Sequence, residues 1–153
     1  PFLPAAQAPN LTTVQAENFA TNMKDQILAP IPQDIYRANQ VRILTGMITN
    51  QEDIQLATEW ALQSDRKMVA ESVYELMTTD LRDDLEHLKL PTLILGSWAR
   101  VKAMGGTKTS AFNIFKNQYA LMQHKTIILA ENARHFIMLD EPLWMHQQFR
   151  SFL

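Results

Sequence analysis

The sequence predicts an α/β protein in which a helical half, residues 1–88, is followed by a β-α-β-α half, residues 89–153. Apolar residues recur with helical spacing almost without interruption through the helical half. The later half contains two short, continuous apolar runs, 92–95 and 126–130. Such runs, bounded by turn residues, are typical of strands buried on both faces of a parallel sheet. The composition, 46% apolar and 20% charged, favours a chain that is folded throughout.

Start and stop signals divide the helical half into consecutive helices. Thr12 and Gln15 fit a capping box, and the helix that they begin ends before Pro30. The expected helices begin near Thr12, Gln33, Asn50, Ser64 or Asp65, and Leu81. Residues expected to face inward are Phe19, Met23, Ile27, Ile35, Val41, Leu44, Ile54, Ala57, Trp60, Ala61, Val69, Val73, Leu76, Met77, Leu81, Leu85 and Leu88.

In the β-α-β-α half, Pro91 ends the helical pattern, and the strand after it closes with a turn at Gly96. A helix over about 108–123 leads to the second strand, and Pro142 begins the last helix. The inward residues of these helices are expected to be Phe112, Phe115, Tyr119, Met122, Met145, Phe149 and Phe152. This order predicts parallel strands joined by a right-handed crossover. Because two strands alone are unstable in water, we expect a homodimer formed by strand pairing at an exposed sheet edge or by segment exchange.

Composition excludes several functional classes. The net charge of −2 comes from interspersed acidic and basic residues, so nucleic acid is not an expected partner. The absence of cysteine excludes disulfides and thiolate catalysis, and no histidine pair has metal-binding spacing, so we expect neither metal nor cofactor. No apolar run approaches the roughly 20 residues that span a bilayer, which favours a soluble, cytoplasmic protein without a membrane partner. Gly105–Thr109 lacks the first glycine of a phosphate-binding loop, and a turn followed by a helix N-cap is expected instead.

The strongest indication of chemistry is His135, which lies between two apolar runs where the second strand gives way to the last helix. In the segment Asn132–Phe136, a small residue and an arginine precede the histidine and an aromatic residue follows it. Together with the strand at 91–96, this segment resembles the C-terminal part of an α/β-hydrolase. The resemblance covers essentially the whole chain, and it implies that the helical half is the cap inserted after the sixth strand of that family.

The same resemblance implies that His135 is the catalytic base of a Ser-His-Asp triad. The four glycines form no Gly-x-Ser-x-Gly elbow, so the nucleophile is missing. Residues 97–102, where the family usually carries its acid, contain no carboxylate. Some members of the family carry the acid after the preceding strand instead, which in this chain would fall upstream of Pro1. We expect the acid there, because one truncation would then remove both the nucleophile and the acid. Asp80 is the second candidate, although a helix N-cap at Thr79 or Asp80 is favoured over a catalytic role.

The resemblance implies a C-terminal fragment of a serine-type hydrolase of esters or related small molecules, inert by itself. The apolar cap favours a small hydrophobic substrate, for which Trp98 and Arg134 are candidate binding residues. A core or rim position explains Trp98 equally well. Arg134 could anchor a substrate carboxylate or simply pair with Glu131 or Asp140. Two alternatives stay open: a non-enzymatic helical interaction or oligomerisation module with a hydrolase-like tail, and a fragment that becomes active with an N-terminal partner chain.

Overall fold

A computed structural model describes Phe2, Pro4 and residues 12–153 of the chain. Within that part the chain is a mixed α/β structure, as predicted, with a small parallel sheet in its later half. The helices are α1 (Thr13–Leu28), α2 (Gln33–Thr45), α3 (Gln51–Gln63), α4 (Arg66–Thr78), α5 (Ala99–Ala103), α6 (Lys108–Gln118), α7 (Ile137–Asp140) and α8 (Pro142–Phe152). A 3-10 helix spans Asp83–His87, and the strands are β1 (Thr92–Ser97) and β2 (Lys125–Ala130).

Side-chain caps begin α1, α3, α4 and α6. The capping box of Thr12 and Gln15 forms at the start of α1. Asn50 accepts from two backbone N–H groups at the start of α3, and Asp65 does the same at the start of α4. Thr107 caps α6, so the expectation of a turn and N-cap after the paired glycines is confirmed. The short helices α5 and α7 were not predicted, and neither has a side-chain cap that could signal its start.

Helix α1 packs against α4 through small side chains. Ala16, Ala20 and Ala70 are completely buried, whereas Phe19, expected to face inward, is 49% exposed. The prediction for Phe19 is wrong because the alanines occupy the face on which the two helices meet. Because alanine side chains are small, the two helix backbones approach closely at this face and leave no room for a large ring. The Phe19 ring therefore lies beside the contact between α1 and α4.

Several other large apolar residues that were expected to face inward are exposed, so those predictions are also wrong. They are Ile35, Trp60, Leu76, Leu81, Leu88, Phe112 and Phe149. The buried set that the sequence did identify comprises Leu44, Ile54, Met77, Leu85 and Met122. The helical periodicity therefore located the helices correctly but overestimated how much of each apolar face is covered by the described residues.

The sheet has the predicted parallel pairing, with Thr92 opposite Lys125 at one end and Ser97 opposite Ala130 at the other. Helix α6 lies between the two strands in sequence and packs on β2. Gly96 of β1 lets the Phe115 ring of α6 approach the sheet closely, because an added Cβ at Gly96 would lie 2.6 Å from that ring. In the described part of the chain the sheet has two strands, so each has one edge without a backbone partner.

The two halves are joined by side-chain and backbone contacts. Leu85, in the 3-10 helix, is buried with Ile94 of β1 and Met122. Phe2 is also buried, and its N–H donates to Gln118 Oε1 of α6 at 2.7 Å. The expected α-helix over Leu81–Leu88 is instead this shorter 3-10 turn. No helix among the described residues is long and apolar enough to cross a membrane.

Candidate functional site

The candidate site lies at the carboxyl ends of the two parallel strands. β1 ends at Ser97 and leads into α5, while β2 ends at Ala130 and leads into the segment that contains His135. Because the strands are parallel and in register, both of these connections leave from the same edge of the sheet. Ligands of parallel α/β sheets bind outside this edge.

The backbone before His135 is fixed by carboxylates from the chain that follows it. Glu141 Oε2 accepts from the N–H of Ala133 at 2.9 Å and of Asn132 at 3.1 Å. Asp140 Oδ2 accepts from the N–H of Arg134 at 2.7 Å. Three successive backbone donors are therefore satisfied locally, which holds the segment in one conformation. We call residues 131–136 the histidine loop.

The histidine loop is also attached to the turn between α2 and α3. Arg134 Nη1 donates to the carbonyl oxygens of Thr45 and Ile48, the second at 3.0 Å. The Phe136 N–H donates to Met47 O at 3.2 Å. Asp140 Oδ1 accepts from the N–H of Thr49 at 2.8 Å. Arg134 thus links the histidine loop to the helical half, an interaction that the sequence did not predict.

His135 itself is exposed to solvent. Its ring meets that of Phe136 edge-to-face, with 5.0 Å between centroids. Among the described residues, no group forms a hydrogen bond with either imidazole nitrogen. The ring is therefore accessible to a reacting hydroxyl, but the carboxylate that would orient it in a triad is not among those residues.

Asp80 pairs with Arg82 and not with His135. The Arg82 guanidinium donates to both carboxylate oxygens, with Nη2 to Oδ2 at 2.6 Å and Nε to Oδ1 at 2.9 Å. This hydrogen bonding by Arg82 holds the pKa of Asp80 below its usual value. The N-cap interpretation is also wrong, because Arg82 occupies the N-cap of the 3-10 helix while Thr79 follows the end of α4.

Trp98 directly follows β1 and is partly buried. Its indole Nε1 is buried without a hydrogen-bond partner among the described residues. Lys102 Nζ lies 5.1 Å from the centroid of the indole ring, which is within cation–π range. The role of Trp98 in substrate binding stays a prediction.

A cleft of about 740 Å³ lies beside the histidine loop. It is lined by the turn after α2, by α5 and by the start of the histidine loop, including Arg134. Arg100 and Lys102 add two more cations from α5. The absence of a carboxylate from residues 97–102 was predicted, but the cationic cleft was not; the basic residues Arg100 and Lys102 are the sequence signal for it.

A second, smaller groove of about 470 Å³ follows α4 and has a mostly apolar lining that includes Met68, Val69 and Leu76. It contains no titratable pair suited to acid–base chemistry. Among the described residues, no group of three or more His, Asp or Glu side chains could hold a metal ion. The cleft at the strand ends is therefore the better candidate for chemistry.

No family model, no curated protein and no solved structure matches this chain. The relationship to the α/β-hydrolases is therefore a prediction, and it rests on the sequence pattern of this chain alone.

Proposed function

We propose that this chain forms the cap and the C-terminal core portion of a serine-type α/β-hydrolase, with His135 as the catalytic base. The observation that carries the proposal is the position of His135. It is an exposed imidazole just beyond the carboxyl end of β2, on a backbone held by Asp140 and Glu141. The parallel strands and the crossover helix α6 agree with this arrangement.

The proposed reaction needs a base whose nitrogen can reach a serine hydroxyl. A neutral imidazole accepts the hydroxyl proton as the serine attacks an ester carbonyl, and then returns that proton to the leaving group. His135 has no competing hydrogen bond among the described residues, so its ring is available for this transfer. The nucleophile and the orienting acid are proposed to come from a preceding segment, and the chain by itself is then inert.

The contacts between the halves support the proposed role of the helical half as a cap. The carbonyls of Thr45 and Ile48 accept from Arg134, which precedes the catalytic candidate in sequence. Helices α2 and α3 are thereby attached to the histidine loop. A cap fixed in this way can shield the reacting groups from water.

The test is hydrolysis of a short-chain nitrophenyl ester by a longer polypeptide in which a Gly-x-Ser-x-Gly segment precedes Pro1. We expect turnover in that polypeptide and none in the present chain. His135→Ala should reduce kcat by about 10⁴-fold or more, as removal of a triad member does. His146→Ala, an exposed histidine on α8, is the matched control and should change kcat less than about twofold. Equal effects of the two substitutions would contradict the proposal.

A second candidate is a non-enzymatic interaction or oligomerisation module. The observation that favours it is the number of large apolar side chains left exposed, such as Met68 and Leu76 beside the α4 groove and Leu143, which is 79% exposed. Exposed apolar surface of this kind marks contact sites in other proteins. This candidate predicts a dimer by light scattering and no ester turnover from the longer polypeptide. Turnover from that polypeptide would favour the hydrolase.

A further inference from the structure

We propose that the cleft at the strand ends binds a small organic anion, a carboxylate joined to a short apolar body. The inference does not depend on hydrolase activity, because it concerns binding alone. It follows from the charge, the lining and the position of the cleft.

The cleft carries three cationic side chains that form no salt bridge among the described residues. Arg100, Lys102 and Arg134 line it, and its one acidic residue, Glu131, is already paired with Lys108. Among the described residues, neither Arg100 nor Lys102 forms a salt bridge. The remaining residues, at positions 1, 3 and 5–11, include no Asp or Glu that could supply one.

The other carboxylates close to the cleft form no salt bridge with these cations. Asp140 and Glu141 accept backbone N–H groups of the histidine loop. The concentration of cations is therefore local and contrasts with the net charge of −2 of the whole chain. A cleft lined by charges of one sign focuses its field and attracts ligands of the opposite charge.

Part of the lining is apolar, and this selects among anions. Ile43, Met47, Ala99 and Ala103 contribute carbon surface to the same cleft. An inorganic anion would leave that surface in contact with water. A carboxylate with a short hydrocarbon body would instead bury it, while Arg100 and Lys102 bind the charged end through charge-assisted hydrogen bonds.

The position and size of the cleft agree with a small-molecule site. Its volume of about 740 Å³ lies within the usual range for ligand pockets. It opens at the carboxyl edge of parallel strands, where ligands of such sheets bind. The inference gives a charged group to the small hydrophobic substrate that the sequence suggested.

The test is to titrate the chain separately with hexanoate, hexanamide and inorganic phosphate and to monitor each titration by two-dimensional NMR. Hexanoate should shift the signals of residues 99–103 and 131–134 and saturate in the millimolar range, and it should bind more weakly as salt is added. The double variant Arg100→Gln/Lys102→Gln should weaken hexanoate binding by about tenfold or more. The control Lys67→Gln/Lys116→Gln removes the same charge from exposed positions outside the cleft and should change the affinity less than about twofold.

Three outcomes would overturn the inference of an anion site at the cleft, and a fourth would overturn the class of anion. They are hexanamide binding as tightly as hexanoate, equal weakening in the two double variants, and absence of saturable shifts at the cleft. Phosphate binding as tight as that of hexanoate would overturn the assignment of an organic anion. Because none of these measurements uses turnover, failure here is distinct from failure of the hydrolase proposal.

Discussion

Replacing Arg134 tests whether the histidine loop and the helical half form one unit. In Arg134→Met the side chain keeps most of its apolar stem but loses the guanidinium that donates to Thr45 O and Ile48 O. The two carbonyls then lose a charged donor, and the turn after α2 is less firmly attached to the loop. We expect the free energy of unfolding to fall.

The size of the effect follows from the environment of the two bonds. A hydrogen bond from a charged group contributes about 1.5–3 kcal/mol when it is shielded from water. The bond to Ile48 O is partly buried, whereas the bond to Thr45 O is exposed and contributes less. A loss of about 2 kcal/mol is therefore expected, which corresponds to a decrease in Tm of about 4–8 °C for a chain of this length.

The assay is urea denaturation, combined with hydrogen exchange at the Phe136 amide. That amide donates to Met47 O across the same junction, so Arg134→Met should speed its exchange more than that of amides within α6. Arg150→Met, which alters an exposed arginine on α8, is the matched control. A loss below about 0.5 kcal/mol, or the same loss in the control, would refute the reasoning.

Two further predictions concern packing and pH. Gly96→Ala should destabilise the fold by about 1–3 kcal/mol in urea denaturation, because the new Cβ would lie 2.6 Å from the Phe115 ring and 2.7 Å from Leu129 Cδ2. Phe115→Leu and Leu129→Ala should each cost less stability in the Gly96→Ala background than in the unaltered chain, and purely additive losses in both double variants would contradict the steric cause. Arg82 lowers the pKa of Asp80 in the folded state. Their pair therefore stabilises the fold fully at a pH above the pKa that Asp80 has in the unfolded chain. This contribution is lost as the pH falls through the pKa of Asp80 in the folded chain. Because the pair is partly exposed, Asp80→Asn should reduce the free energy of unfolding at neutral pH by less than about 1 kcal/mol. At acid pH the substitution should leave stability unchanged. An equal loss at the two pH values would exclude the ion pair as the cause.

The sequence by itself determined the types of the main elements and the parallel sheet. Local signals were sufficient: Thr12, Asn50 and Asp65 cap helices because their side chains bind backbone groups two or three residues away. The signals for the strands were equally local, since a short apolar run between turn residues favours a strand in a parallel sheet. The order of these elements then predicted the parallel direction of β1 and β2.

Only the tertiary structure decided which faces are buried and which charges meet. Ala16 and Ala20, not Phe19, form the buried face of α1, because burial depends on the close approach of a helix distant in sequence. Arg134 binds carbonyls almost ninety positions earlier in the chain. The cationic cleft likewise combines α5 with the histidine loop, segments separated by a crossover helix and a strand. Periodicity and capping act over a few residues, whereas the cleft depends on how the ends of two parallel strands are brought together.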